Sequence, residues 1–200
     1  MNRANKRNEL IQVGKEIVVQ QGFKGTSLND VLTKAGVPKG SFYYYFSSKE
    51  DFGLAIVDDF AQEYRDRFKT FLEDEKYSPL TRLRNYFEFK IAEMEAHHCN
   101  NGCLIGNLAQ ELSTQNELFR DRLNQIFAEW EQYFIRCLKA AYEAGEIEDI
   151  CNFEVLAKFI LSSWEGAILQ AKVMKSTVPM QIFIKILFQQ VLSISDFSKI

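Results

Sequence analysis

Phe52, Ile56, Phe60, Tyr64, Phe68 and Leu72 follow one another at an unbroken spacing of four, so one apolar stripe persists over several turns of a long helix. Apolar residues recur at spacings of three and four through most of the chain, which has only three prolines and ten glycines in 200 residues. No stretch carries the alternation of a half-buried strand. The expectation is an all-α protein. Its 46% hydrophobic content is enough to bury a sizeable core, and its length permits a small head fused to a larger body.

The punctuation predicts the helices. The first covers about Lys6 to Gln21, with Leu10, Ile11, Gly14, Ile17 and Val18 on one face and Gly22 as its stop. Thr26 or Ser27 caps a second, Leu28 to Ala35, and Gly36 supplies a turn. Pro38 opens a third that reaches about Tyr44. Ser47 or Ser48, with Glu50 as capping-box partner, opens the long helix that ends near Leu72. Further helices are expected over Leu80–Glu95, Cys103–Leu112, Glu117–Ala144, Phe153–Met174 and Pro179–Ser193.

Charge divides along the chain although its total is only −3. Residues 1–50 hold eight Lys/Arg and four Asp/Glu, whereas the rest is net acidic. A basic segment on an acidic chain is the footprint expected when one end meets phosphates. The two short helices around Gly36 have the layout of a helix-turn-helix, whose second helix enters the major groove and needs exposed donors there. Lys39, Ser41, Tyr43 and Tyr44 supply them. Gly40 removes a side chain where backbone and phosphate approach, the Thr26 or Ser27 hydroxyls suit one phosphate, and Tyr45 and Lys49 suit another. Phe42 and Phe46, four apart, face the core; the three tyrosines between them cannot all do so.

Residues 8–54, with Gly22-Phe23, Thr26-Ser27, Ala35-Gly36-Val37, Lys39-Gly40-Ser41-Phe42-Tyr43-Tyr44-Tyr45-Phe46 and Lys49-Glu50, resemble the N-terminal domain of the TetR family. Tyr45 departs from the histidine that many members carry; a phenol still donates to phosphate. The resemblance implies a helix-turn-helix DNA-binding domain over residues 1–50 and a larger helical sensing and dimerisation domain over 51–200. It implies a homodimer on palindromic operator DNA, most often a repressor, that is released by a small molecule or other signal. It also assigns the dimer interface to the last two helices, with stripes Leu156, Ile160, Trp164, Ile168 and Phe183, Leu187, Val191, where Ser163, Gly166, Ala167 and Ala171 permit close approach.

Asn101-Gly102-Cys103-Leu104-Ile105-Gly106-Asn107-Leu108 and Trp164-Glu165-Gly166-Ala167-Ile168-Leu169-Gln170-Ala171-Lys172 resemble the branch of NemR-like electrophile-responsive repressors, in which a Gly-Cys-Leu turn carries a reactive cysteine. Two readings of Cys103 stand side by side. At the first turn of a helix, free N–H groups and the dipole favour a thiolate; alternatively, Cys103 is a small apolar residue packed behind a glycine turn. Phe87, Met94, Phe127, Trp130, Phe134 and Trp164 are read either as the lining of an effector cavity or as ordinary packing.

His97, His98, Cys99 and Cys103 hold both histidines beside two of the four cysteines, yet without metal-ligand spacing, so a polar helix end is preferred to a metal site. Cys99, Cys103, Cys137 and Cys151 are read as free thiols of a cytoplasmic protein, since neither a signal peptide nor a membrane span is recognisable. No phosphate loop, nucleophile motif or cofactor signature points to an enzyme. A helical adaptor would leave Lys39, Tyr43, Tyr44 and Lys49 unexplained.

Overall fold

Helix caps and glycine turns set the order of elements in a computed structural model that describes residues 3–148 and 152–192. Among the described residues there are nine α-helices and no strand: α1 Arg3–Gly25, α2 Leu28–Lys34, α3 Phe42–Tyr45, α4 Lys49–Leu72, α5 Pro79–Ala96, α6 Leu104–Leu112, α7 Glu117–Glu143, α8 Phe153–Met174 and α9 Val178–Ile186. Cys151, Ser193 and their expected roles lie outside the described residues.

Gly22 breaks α1 with a left-handed φ of 76°, and a short helical turn follows it to Gly25. Ser27 caps α2 by accepting from the Asn29 N–H at 3.2 Å, and Gly36 turns the chain at φ 62°. The expected helix from Pro38 is a 3₁₀ turn, Lys39–Ser41, that runs into the single α-turn of α3. Gly40 and the bulky aromatic run after it are poor helix formers, which accounts for the shortness. At the start of α4 the capping box is closed by Asp51 rather than Glu50. Asp51 N–H donates to Ser48 Oγ at 3.0 Å, while its carboxylate accepts from the Ser47 N–H at 2.7 Å. Ser48 is thus the N-cap, and Asp51, three residues on, returns the bond to the N–H of Ser47, one residue before the cap. At the other end of the chain, α9 gives way to a π-helical turn at Leu187–Val191.

Two compact units form. The first comprises the described residues of Met1–Tyr64 with Leu104–Asn124, and the second those of Arg65–Cys103 with Gln125–Ile200. The DNA-binding segment expected at residues 1–50 therefore shares its unit with the first four turns of α4, with α6 and with the start of α7. A strict spacing of four also drifts around a helix by about 40° per step. Phe52 and Ile56 accordingly belong to the first unit, and Phe68 and Leu72 to the second; all four are buried, and Phe60 is half-buried beneath the Lys15 ammonium.

The first core gathers Leu10, Val18, Val31, Phe42, Phe46 and Phe52, with the Phe46 and Phe52 rings 4.9 Å apart. The second is more aromatic. Phe68 packs on Tyr86 and Tyr133, each at 4.9 Å, and Phe87 on Trp164 at 4.7 Å.

Candidate functional site

The turn from α2 into α3 presents a polar, aromatic surface. Tyr43 and Tyr44 are 71% and 58% exposed, Lys39, Gly40 and Ser27 are exposed, and Ser41, Tyr45 and Lys49 are half-buried. Phe42 and Phe46 are each 1% exposed and anchor the run from beneath. The Tyr44 and Tyr45 rings meet edge to face at 5.2 Å, which limits their motion, and the Lys49 ammonium lies 5.0 Å from the centre of the Phe23 ring. Nothing lies within 4 Å of where a Gly40 side chain would begin, so a backbone can be approached there. Thr26 is a correction. Its side chain turns inward, and its hydroxyl donates to the Gly22 carbonyl at 2.6 Å, closing the bend after α1 instead of facing solvent.

The same unit holds a latch that the sequence did not expose. The Glu111 carboxylate, at the end of α6, accepts from the N–H groups of Phe23 at 3.0 Å and Lys24 at 2.7 Å, donors freed by the break at Gly22. Arg122 meets Asp58 at 2.6 Å, and the Asn116 amide donates to Glu50. Charge-assisted bonds of this kind are the stronger class. Glu111→Ala is expected to lower stability by about 1–3 kcal/mol, because two N–H groups lose their acceptor. Urea unfolding of this variant beside Glu88→Ala, a change at an exposed position, measures the difference; equal midpoints would dismiss the latch.

In the second unit the expected effector residues make close ring contacts. Phe87, Trp130, Phe134 and Trp164 are no more than 2% exposed, Met94 is 6% exposed, and Phe127 is half-buried against Trp130. Cys103, 3% exposed, directly precedes α6 and donates its thiol hydrogen bond to the carboxylate of Glu165 on α8. Lys90 on α5 is also buried; it pairs with Glu93, which in turn meets Arg67 at 2.9 Å. Burial pushes the Glu165 carboxyl up to about 7, against the pull of the Cys103 hydrogen bond and the Lys90 charge. It also raises the Tyr86 phenol, helped by Cys103 and Glu165, and lowers Lys90. Glu93 would be raised by burial too, but Lys90, Arg67 and His97 hold it below the ordinary range.

Cys137 contrasts with Cys103. It donates to the Pro79 carbonyl at 3.2 Å, and burial raises its thiol to about 12. His98 and Cys99 take left-handed φ values of 51° and 54° where α5 ends, and the Lys175 ammonium donates to Asn100 Oδ1 at 2.6 Å. Among the described residues no group of three or more His, Cys, Asp or Glu is arranged to hold a metal ion.

Two family models match the chain. Residues 10–56 match that of the bacterial regulatory proteins of the tetR family, and residues 79–187 match the tetracyclin repressor-like C-terminal domain. The chain belongs to the TetR family. It is 34% identical to the transcriptional repressor DhaR of a Mycobacterium species over 96% of this chain and 95% of that one. To the Escherichia coli repressor NemR it is 31% identical over 88% of each. The crystal structure of reduced NemR superposes with a TM-score of 0.85 over 90% of this chain and 93% of that one, at 28% identity. A regulatory protein TetR from Rhodobacter sphaeroides gives the same score at 31% identity, over 91% of this chain and 96% of its own.

This TetR-family chain is a helix-turn-helix, DNA-binding transcriptional regulator. No helix among its described residues is long and apolar enough to cross a membrane. Its last helices correct one expectation. Leu156, Ile160, Trp164, Ile168 and Leu187 are buried within the chain itself, and Phe183 and Val191 are half-buried. The apolar residues left exposed include a different row on α8, Val155, Phe159, Leu169 and Val173, beside Met174 at its end, continued by Val178, Ile182 and Ile186 at the start of and along α9.

The sequence missed Glu111, Lys90 and the pairing of Glu165. Lys90 did leave a signal, as the one charged residue in the buried set Leu83, Tyr86, Phe87, Lys90 and Met94 of α5. Glu111 and Glu165 left none, since each meets a partner more than sixty residues away.

Proposed function

We propose that this TetR-family regulator is a cytoplasmic homodimeric repressor of a palindromic operator, released when Cys103 reacts with an electrophile or oxidant. Residues 1–50 contact DNA; residues 51–200 sense and dimerise. The observation that carries the DNA reading is the pair of exposed tyrosines, Tyr43 and Tyr44, beside Lys39 just after the Gly36 turn. These reach base edges, while Ser27, Gly40, Ser41, Tyr45 and Lys49 hold the phosphates. The Thr26 hydroxyl is left out because it is occupied. The likeness to repressors supports the sign of regulation, and the exposed row on α8 and α9 supports the dimer. Two reading helices must stand about one DNA turn apart, about 34–36 Å, and an effector acts by changing that separation. Cys103 directly precedes α6, whose other end carries the Glu111 latch to the turn before α2.

A gel shift on the DNA upstream of the protein's own gene, with random DNA as competitor, tests the reading. Specific retention that falls steeply with salt is expected, and equal retention of random DNA refutes it. Lys49→Ala is expected to weaken binding to every sequence and to reduce the salt slope by about one, whereas Tyr43→Ala also relaxes base preference. Equal losses on specific and random DNA for both variants would remove Tyr43 as a base reader. Release by electrophile that persists in Cys103→Ser would shift the assignment to a non-covalent ligand among Phe87, Phe127, Trp130 and Trp164.

A further inference from the structure

We propose that Glu165 is the proton acceptor that arms Cys103, taking the thiol proton as sulfur bonds to an electrophilic carbon. The inference rests on the reading of Cys103 as the responsive residue. Two buried thiols of the second unit show what distinguishes it. The Cys137 thiol donates to a backbone carbonyl, which cannot accept a proton at any ordinary pH. The Cys103 thiol donates to a carboxylate, which can. Lys90 makes its ion pair with Glu93, which also meets Arg67 at 2.9 Å, and its charge reaches Glu165 as well, so the thiol and the ammonium both face this carboxylate. Its site also suits the task, because burial brings its titration to about 7, where a base is both ionised and able to hold a proton near neutral pH. The Lys90 ammonium and the N-terminus of α6 favour the negative sulfur as it forms.

With an alkene conjugated to a carbonyl, the step balances without any other reagent. The Sγ–H bond breaks and its proton passes to a Glu165 Oε as the new Sγ–C bond forms. The alkene π pair moves onto the conjugated carbonyl, and the proton returns from Glu165 to the carbon beside it. The product is a thioether and a regenerated carboxylate. The groups that set the pH response are Cys103 and Lys90, which face Glu165, and Tyr86, Glu93 and Arg67, which surround them.

The test follows alkylation of the purified full chain by N-ethylmaleimide from pH 5.5 to 9.5, with the adduct located by peptide mass. The wild-type rate at Cys103 is expected to rise through about pH 7. In Glu165→Gln the rate at neutral pH falls by about tenfold or more, and the rise moves toward the ordinary thiol range near ~8.5. Glu165→Asp, which keeps a carboxylate, retains the rise near neutral pH. Operator binding before treatment reports that each variant is folded. A Glu165→Gln profile that overlays the wild type overturns the assignment. So does a wild-type profile that rises only near pH 8.5, which needs no variant. If no adduct forms at Cys103 in the wild type, the thiol reading itself fails, an outcome distinct from either.

Discussion

Alanine in place of Gly53 is expected to destabilise the chain by about 1–3 kcal/mol, although alanine for glycine inside a helix ordinarily stabilises by about 1 kcal/mol. Gly53 lies in the second turn of α4, and a Cβ there would stand 2.3 Å from Phe23 Cε2 and 2.6 Å from Phe119 Cζ. Neither ring has room to retreat. Phe119 is fully buried and Phe23 is 8% exposed, with the two rings packed at 5.0 Å. Valine, with two further methyl groups in the same space, is expected to cost more and to separate α4 from the turn after α1. Since Lys49 sits over the Phe23 ring, operator affinity falls with stability. Urea unfolding of Gly53→Ala and Gly53→Val beside Gly25→Ala, where the nearest atom is 3.7 Å away, measures the effect. A gain in stability for Gly53→Ala equal to that of the control would refute the close packing.

On the dimer proposed above, a bulky side chain at Gly166 predicts the opposite combination, a more stable protomer that no longer dimerises. It is exposed on α8 with nothing within 4 Å of where its side chain would begin, in the same row as Val155, Phe159, Leu169 and Val173. Positions 155, 159, 162, 166, 169 and 173 repeat at alternating spacings of four and three, the pattern of a seam that packs on another helix. Phenylalanine at 166 removes a helix-interior glycine, a gain of several tenths of a kcal/mol, and fills the space that a second copy needs. A monomer in sedimentation at micromolar concentration is expected, with palindrome affinity reduced by about 10²–10⁴ because the two half-sites are no longer linked. Leu169→Glu, at a residue 44% exposed, is expected to do the same. A dimer that survives both changes would place the interface elsewhere.

Most helices were legible because their evidence is local. Gly22, Gly36 and Gly145 take the left-handed backbone that their positions as helix stops and turns demand. The exposure of Tyr43 and Tyr44 followed from geometry alone, since Phe42 and Phe46 fill the one face that can be buried. At α4 the adjacent serines left the N-cap open between Ser47 and Ser48, and the partner expected at Glu50 is Asp51, three residues after Ser48. Thr26 and Ser27 are likewise adjacent hydroxyls, and the bend at Gly22 turns the first inward.

The α8 helix shows the same limit at larger scale. Its buried row through Leu156, Ile160 and Trp164 and its exposed row through Val155, Phe159 and Leu169 are both apolar. Periodicity reports that a helix has two such faces but not which one the chain covers itself. The helices, the turn at Gly36 and the outward-facing tyrosines are written in the local sequence, because backbone freedom and helical period act over a few residues. Contacts between distant elements, by contrast, set Cys103 against Glu165 near Lys90, hold the turn after α1 with Glu111, and leave one apolar row of α8 exposed. Those pairings depend on contacts between distant residues of interchangeable chemistry, for which a linear pattern carries no label.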